Sequence, residues 1–156
     1  MDLHSSRLLR VLVVDDYPDA GTSLRILLEL LGHEARAVTG GREALKMAES
    51  FLPDLVFLDI EMPELHGGRV ARLLRLLPGL ADVRIVATSG LDADDARLEG
   101  YRHEFDDYLR KPYSLDRLED LVGFHECRST TSSPAHTRWP TAAKPLSDVL
   151  PSKGVR

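Results

Sequence analysis

Five side chains able to do chemistry stand where four short apolar runs of the sequence stop. Asp15 and Asp16 follow the first run, Asp59 the second, Ser89 the third and Lys111 the fourth. In an open parallel sheet, ligands bind in the crevice beyond the carboxyl ends of the strands, so these groups are expected to converge there. Carboxylates are ligands for Mg²⁺, and hydroxyl and ammonium groups donate hydrogen bonds to phosphoryl oxygens. The pattern therefore predicts a magnesium and phosphate site.

Each of these features has an ordinary structural explanation when it is taken alone. An Asp-Asp pair is common in turns and helix caps, Ser-Gly in turns, and Lys-Pro at the end of a strand. Their joint placement at the ends of four separate strands favours a functional site. Clustered carboxylates repel one another, and a bound Mg²⁺ relieves that repulsion. Asp59 is then a candidate nucleophile toward phosphorus. Lys111 and the metal would neutralise the charge of the phosphoryl group, and Ser89 would donate a hydrogen bond to it.

The elements that must position these groups follow from the hydrophobic pattern of residues 1–124. Strands are expected at about 10–15, 34–38, 54–59, 83–88 and 106–110. Helices are expected at about 18–31, 41–51, 67–77, 92–103 and 114–123. Five strand–helix units with short loops predict an α/β fold, a flavodoxin-like (βα)5 doubly wound parallel sheet. We choose the strand order 2-1-3-4-5, which places the first and third strands side by side at the switch point.

Local signals agree with these elements. Pro18 can occupy the first turn of the first helix, Gly32 can stop that helix, and Ser114 can cap the last one. The segment 34–38 has fewer apolar residues than the other strands, so it is predicted to be an edge strand.

Charge and composition limit the classes of function. The net charge is −5, and residues 125–156 hold five Lys or Arg against two acids, so residues 1–124 carry −8. An acidic body argues against direct nucleic-acid binding and suits a cation site. The single cysteine, Cys127, excludes an internal disulfide and favours a reducing cytoplasm. No stretch approaches the ~18 apolar residues that span a bilayer, so we expect a cytoplasmic protein.

The remainder of the chain, 125–156, has a different composition. It is rich in Ser, Thr and Pro and shows little hydrophobic periodicity. We interpret it as a tail that is disordered.

The motifs together resemble the receiver domain of two-component response regulators (the CheY-like superfamily), and the resemblance covers about residues 8–124. It rests on the acidic pair after the first strand, the segment 58–63 followed by Gly67, the segment 87–90, and the segment 106–112. The order and the spacing, with 30 residues from Asp59 to Ser89 and 22 more to Lys111, are similar to those of the family.

The resemblance implies a role for each residue of the site. Asp59 would accept a phosphoryl group from a phosphohistidine of a sensor kinase or of a histidine phosphotransfer protein. Asp15, Asp16 and Asp59, with the backbone carbonyl of Glu61, would bind Mg²⁺. Lys111 would pair with the phosphoryl group or, before phosphorylation, with a carboxylate.

The resemblance also implies a switch. Ser89 would move toward the phosphoryl oxygen, and Tyr108 would then turn inward. This would change the face formed by the fourth helix, the fifth strand and the last helix. The Lys111–Pro112 bond is typically cis in the family.

Two places are left open by the sequence. Glu61 and Leu91 occupy positions that tune phosphoryl lifetime in the family, and the Glu61 carboxylate could attract the metal through water or position the attacking water. Family members often have Gly where this chain has Glu104. If that position needed a positive φ, Glu104 would be strained by roughly 1 kcal/mol.

The leading hypothesis is a phosphorylation-controlled signalling switch that catalyses its own phosphorylation and dephosphorylation and is otherwise not an enzyme. No recognition helix or zinc spacing follows, so the chain would act by protein contact as a stand-alone receiver or as part of a longer protein. The output protein and any phosphorylation-dependent dimer stay open. One alternative is an adaptor with a receiver fold that works without phosphorylation. A remote one is a Mg²⁺-dependent aspartyl phosphatase, which would want Asp where Glu61 stands.

Overall fold

A five-stranded parallel sheet forms the centre of the molecule. The computed structural model describes residues 7–123, so the predicted tail at 125–156 lies outside the described residues. The strands are β1 (Arg10–Val14), β2 (Glu34–Val38), β3 (Leu55–Asp59), β4 (Arg84–Ser89) and β5 (Asp107–Arg110). Their order is β2-β1-β3-β4-β5, and every neighbouring pair is parallel. The predicted fold class and strand order are confirmed.

Burial explains the apolar runs of the central strands. All residues of β3 and β4 are buried, because helices cover both faces of the sheet. In β2 only Ala35 is fully buried, and Arg36 is exposed. Since β2 lies at one edge of the sheet, the prediction of an edge strand is confirmed.

Successive strand residues supply two hydrophobic cores, one on each face of the sheet. One core includes Leu12, Val14, Val56, Leu58, Ile85 and Ala87. The opposite core includes Val11, Val13, Leu55, Phe57, Val86 and Leu109. The alternation fixes the register of the strands, because a slip by one residue would exchange the two sets of side chains.

Within the described part of the chain, four α-helices flank the sheet: α1 (Pro18–Leu30), α2 (Gly41–Phe51), α3 (Gly67–Leu76) and α4 (Leu115–Gly123). Pro18 begins α1, and Gly32 follows its end with a φ of 92°. The Ser114 hydroxyl accepts a hydrogen bond from Arg117 N at the start of α4. The three predicted helix signals are thus confirmed. Within residues 7–123, no helix combines the length and the apolar character needed to cross a membrane.

The fourth predicted helix differs from the expectation in position and type. It spans Ala96–Glu104, starts four residues later than predicted, and is a 3₁₀ helix. The segment buries only one apolar side chain, that of Leu98, and contains Gly100, so it lacks the apolar stripe that stabilises an α-helix. Nine residues are long for a 3₁₀ helix.

The three-residue repeat of this 3₁₀ helix aligns Leu98, Tyr101 and Glu104 on one side. The Tyr101 ring stacks on the His66 ring with centroids 3.8 Å apart. The Glu104 carboxylate accepts two hydrogen bonds from the Arg72 guanidinium, at 2.6 and 3.0 Å. Glu104 does not adopt a positive φ, so the strain considered for this position is absent. The Glu104 side chain is instead buried against α3.

Gly67 brings the start of α3 against the end of β3. A Cβ atom at this position would lie 2.4 Å from the carbonyl oxygen of Asp59 and 2.8 Å from the Cα of Ile60. Those contacts are with backbone, which cannot rotate away. A residue without a side chain is therefore required next to the candidate nucleophile.

We expect Gly67→Ala to lower the free energy of unfolding by about 2 kcal/mol, because the added methyl group must push α3 away from β3. Urea unfolding measures the loss. Gly100→Ala is the matched control, since a Cβ there meets no atom within 4 Å. Equal unfolding midpoints for the two variants would contradict the close approach.

Candidate functional site

The carboxyl edge of the sheet collects the predicted polar residues. Asp15 directly follows β1, Asp59 ends β3, Ser89 ends β4, and Lys111 directly follows β5. The pairing of β3 with β4 and of β4 with β5 sets these ends side by side. The convergence predicted from the sequence is present in the structure.

Three carboxylates form the centre of this edge. One ligand oxygen from each of Asp15, Asp16 and Asp59 lies within 4.8 Å of the others. Asp15 and Asp59 are 2% and 4% exposed, whereas Asp16 is open to solvent. Such a group of oxygens suits a hard divalent cation, and the open side of Asp16 leaves room for its water ligands.

Lys111 neutralises part of this negative charge. Its Nζ donates to Asp15 Oδ2 at 2.7 Å and to Asp59 Oδ2 at 3.3 Å. The lysine backbone is fixed by Lys111 N donating to Ser89 O at 2.8 Å and by the expected cis bond to Pro112. One ammonium faces three carboxylates, so the surplus charge matches that of a divalent cation, and the residues present fit Mg²⁺.

Backbone amides hold the other oxygens of the two buried carboxylates. Tyr17 N donates to Asp15 Oδ1 at 2.9 Å, and Glu61 N donates to Asp59 Oδ1 at 3.0 Å. Each carboxylate is therefore oriented by the loop that follows its own strand, with its second oxygen turned toward Lys111.

The electrostatic environment of Asp59 is unusual. Burial raises the pKa of the Asp59 carboxyl to about 6, against the amide of Glu61 and the charge of Lys111, which both lower it. Burial would lower the pKa of Lys111, but the hydrogen bond to Asp15 and the charge of Asp59 raise it above the usual lysine value. At neutral pH the site therefore holds an ionised Asp59 carboxylate, whose charge is disfavoured by burial, beside a charged lysine.

Ser89 is joined to Glu61 in this structure. The buried Ser89 hydroxyl donates to Glu61 Oε2 at 3.1 Å and accepts from Leu91 N at 3.0 Å. Glu61 and Leu91, the two positions that tune phosphoryl lifetime in the family, therefore both contact the Ser89 hydroxyl. The Glu61 carboxylate binds Ser89 here, a role that the sequence analysis did not anticipate.

Tyr108 already points inward. It is 5% exposed, and its hydroxyl donates to the carbonyl oxygen of Leu91 and, at 3.5 Å, to that of Ser89. The resemblance placed this inward position after phosphorylation. The structure shows the inward position of Tyr108 together with the Ser89–Glu61 hydrogen bond.

A buried ionic cluster behind Tyr108 was missed by the sequence analysis. Asp107 is inaccessible to solvent, and its carboxylate lies 2.7 Å from Arg117 and 3.4 Å from Arg84. Its Oδ1 also accepts from Tyr108 N at 2.8 Å. An arginine inside an otherwise apolar strand was the available signal, because a buried charge needs a partner.

The parallel sheet with an acidic cluster and a lysine at its carboxyl edge defines a receiver-like α/β domain. A family model described as the response regulator receiver domain matches residues 11–123. The chain belongs to the response regulator receiver domain family. It is thus the receiver domain of a two-component response regulator, a signalling domain.

Curated relatives are similar in sequence over the same region. The transcriptional regulatory protein PrrA of Mycobacterium tuberculosis is 41% identical over 109 residues, which are 70% of this chain and 46% of PrrA. The response regulator MprA of Mycolicibacterium vanbaalenii is 39% identical over 110 residues, or 70% of this chain and 47% of MprA. The chain spans about half the length of the curated relatives that it matches.

Solved structures share the fold. A CheY-like receiver domain from Methylobacillus flagellatus is 33% identical with a TM-score of 0.69, covering 76% of this chain and 98% of that one. The receiver domain of sensor histidine kinase PA1611 from Pseudomonas aeruginosa is 27% identical with a TM-score of 0.67, covering 74% and 94%. That structure holds a magnesium ion in its active-site cleft.

We expect Asp59→Asn to stabilise the protein when chelator is present, and the gain to depend on pH. The pKa of Asp59 is about 6 in the folded protein and 3.8 when unperturbed, so the folded state binds the proton more tightly. The contribution of Asp59 protonation to the free energy of unfolding is complete below about pH 4 and is lost as the pH rises through about 6. Asparagine does not titrate, so the gain should grow over that interval to about 1–3 kcal/mol.

Urea unfolding at about pH 5 and pH 7.5 measures this difference. Asp19→Asn is the control, because Asp19 is an exposed acid in the first turn of α1. A gain that is the same at both pH values, or equal in the two variants, would contradict the burial of Asp59 as the cause.

Proposed function

We propose that this receiver is controlled by phosphorylation of Asp59. A phosphohistidine of a sensor kinase or of a histidine phosphotransfer protein supplies the phosphoryl group. The observation that carries the proposal is the position of the Asp59 carboxylate, which is buried at the sheet edge, within 4.8 Å of two further carboxylates and in contact with Lys111. Residues 1–124 form the receiver module.

Asp15, Asp16, Asp59 and the backbone carbonyl of Glu61 would hold Mg²⁺, which supplies charge neutralisation for the phosphoryl oxygens when bound. The magnesium ion in the PA1611 receiver supports this assignment. The three carboxylates repel one another, and their shared binding of a divalent cation would relieve that repulsion. Asp16, the exposed member of the three, is the ligand nearest to solvent.

The transfer forms one bond and breaks another. A carboxylate oxygen of Asp59 attacks phosphorus while the bond from phosphorus to the donor histidine nitrogen breaks, and the nitrogen keeps the electron pair. In dephosphorylation a water oxygen attacks phosphorus while the acyl-phosphate P–O bond breaks. The Asp59 oxygen keeps the electron pair, so the carboxylate is restored, and the protons of the water leave with the released phosphate.

Lys111 and Ser89 stabilise the transferred group. The Lys111 ammonium lies 3.3 Å from Asp59 Oδ2, so it stays beside the phosphoryl group once that group is attached. The Ser89 hydroxyl donates to a phosphoryl oxygen, as its position at the neighbouring strand end allows. Through these two residues the domain would promote its own phosphorylation and dephosphorylation.

The signal leaves through the face formed by the 3₁₀ helix, β5 and α4. Tyr108 connects Leu91 to a cleft of about 400 Å³ that is lined by Asp92, Arg110 and Arg117, among others. The cleft combines apolar residues, Ala93 and Leu109, with these charged ones, and such a mixture suits a protein partner or a second copy of the chain. We propose this face as the output surface.

The nature of the output is a separate question from the switch. The relative RpaA of Synechocystis, 28% identical over 70% of this chain, is named a DNA-binding transcriptional regulator. The acidic charge of residues 1–124 argues only that the receiver itself does not contact DNA. We propose that any effect on nucleic acid is indirect, through a partner protein of the receiver or through another part of a longer protein.

The inward position of Tyr108 favours one other candidate function, the phosphorylation-independent adaptor. The arrangement at Ser89 and Tyr108 is formed here with the Glu61 carboxylate as an acceptor of the Ser89 hydroxyl. An adaptor would use that arrangement permanently. The intact nucleophile, lysine and acidic cluster make the phosphorylated switch the better-supported function.

We expect the intact protein to gain the mass of one phosphoryl group when it is incubated with a small acyl-phosphate donor and Mg²⁺. Asp59→Asn and an excess of chelator should each abolish the gain, because one removes the nucleophile and the other the charge neutralisation. Intact mass spectrometry measures the outcome.

Two exposed aspartates near the site provide a matched control. Asp16→Asn should slow phosphorylation at least about tenfold, since a metal ligand is lost, and Asp19→Asn should not change it. If no mass is gained, the wild-type protein should still bind a beryllofluoride–Mg²⁺ complex. Failure of both assays would favour the adaptor.

A further inference from the structure

The Ser89 hydroxyl can serve only one acceptor at a time. A serine hydroxyl has a single proton to donate. In this structure that proton is given to Glu61 Oε2 at 3.1 Å, while Leu91 N occupies the oxygen from the other side. A phosphoryl oxygen on Asp59 that accepts from Ser89 must therefore displace the carboxylate of Glu61.

Glu61 contacts the proposed nucleophile, Asp59, through its backbone amide. Its amide donates to Asp59 Oδ1 at 3.0 Å, while its side chain reaches across to the end of β4. The residue thus places a carboxylate oxygen at Ser89 from a position two residues after Asp59, which would carry the phosphoryl group after transfer. Two anions this close repel each other, so occupation of Ser89 by one disfavours the other.

The contacts continue from Ser89 to the output face. Leu91 N binds the Ser89 hydroxyl, and the carbonyl of Leu91 accepts from the Tyr108 hydroxyl. The Tyr108 ring is buried in this state. The hydrogen bond from Ser89 to Glu61 is therefore the first link of a continuous chain of contacts that ends at Tyr108.

We propose that the Glu61 carboxylate is an internal substitute for the phosphoryl group at Ser89. The Glu61 carboxylate holds Ser89, and through Leu91 the Tyr108 ring, in the inward arrangement. After phosphorylation of Asp59, the phosphoryl group displaces the Glu61 carboxylate from the Ser89 hydroxyl. Glu61 is a positioning residue: it stabilises the unphosphorylated protein against the phosphorylated one and keeps Tyr108 from turning outward. This inference rests on the proposed function and adds to it the regulation of the same site.

The first test uses protein in chelator, labelled with fluorotyrosine and observed by ¹⁹F NMR. The Tyr108 resonance is assigned with Tyr108→Phe. We expect Glu61→Ala to shift this resonance, because the Ser89 hydroxyl loses its acceptor and the contacts behind it loosen. Glu64→Ala is the matched control, since it removes an exposed acid from the same loop. An unchanged resonance in Glu61→Ala would overturn the proposal.

The second test measures the binding of beryllofluoride and Mg²⁺ to four proteins: wild type, Glu61→Ala, Ser89→Ala and the double variant. Loss of one hydrogen bond from the unliganded state should tighten binding by about fivefold in Glu61→Ala. In the Ser89→Ala background the same substitution should give no comparable gain. A fifth protein, Glu61→Gln, keeps an acceptor oxygen, and its affinity should fall between those of wild type and Glu61→Ala.

The outcomes separate the inference from the proposed function. If Glu61→Ala tightens binding equally with and without the Ser89 hydroxyl, Glu61 acts by general charge repulsion and the inference is wrong while the switch stands. If none of the four proteins binds beryllofluoride, the proposed function itself fails, and the ¹⁹F measurement still decides whether Glu61 positions Tyr108.

Discussion

The ion pairs of Lys111 with Asp15 and Asp59 are the constraint on which the rest of the site depends. Two almost fully buried carboxylates at 2% and 4% exposure are tolerated beside each other because one ammonium contacts both. Backbone amides fix the remaining oxygens, so the acidic cluster has one orientation. The sheet supplies the strand ends, and Gly67 lets α3 begin directly against the last residue of β3. A carboxylate held this firmly, with surplus negative charge around it, suits the divalent cation and the phosphoryl group of the proposed function.

Short contacts connect this cluster to Tyr108. Ser89 stands between Glu61 and Leu91, and Leu91 holds the Tyr108 hydroxyl. The buried carboxylate of Asp107, the residue before Tyr108, ties β5 to arginines of β4 and α4. The 3₁₀ helix is held at the start of α3 by a ring stack and to α3 by an ion pair. It buries only one apolar side chain, that of Leu98, so it is a suitable place for a conformational change.

Most of the fold could be predicted because apolar periodicity and cap residues act locally. The edge position of β2 and the caps at Pro18 and Ser114 follow from such patterns. The strand order was instead chosen as that of flavodoxin-like sheets. The convergence of the polar residues followed from the geometry of parallel sheets. The 3₁₀ helix could not be predicted, because it depends on contacts of Tyr101 and Glu104 with α3. The Ser89–Glu61 hydrogen bond and the inward Tyr108 depend on side-chain directions, which spacing along the chain does not determine.

The most direct test of the account is a map of backbone amide NMR shifts in the full chain, before and after addition of Mg²⁺ with beryllofluoride. If Asp59 is the phosphoacceptor, the largest changes fall at residues 59–61, at 88–91 and at Lys111, while the edge strand β2 is unaffected. An unchanged spectrum, or changes confined to segments away from the carboxyl edge of the sheet, would contradict the central claim that this edge binds the phosphoryl group.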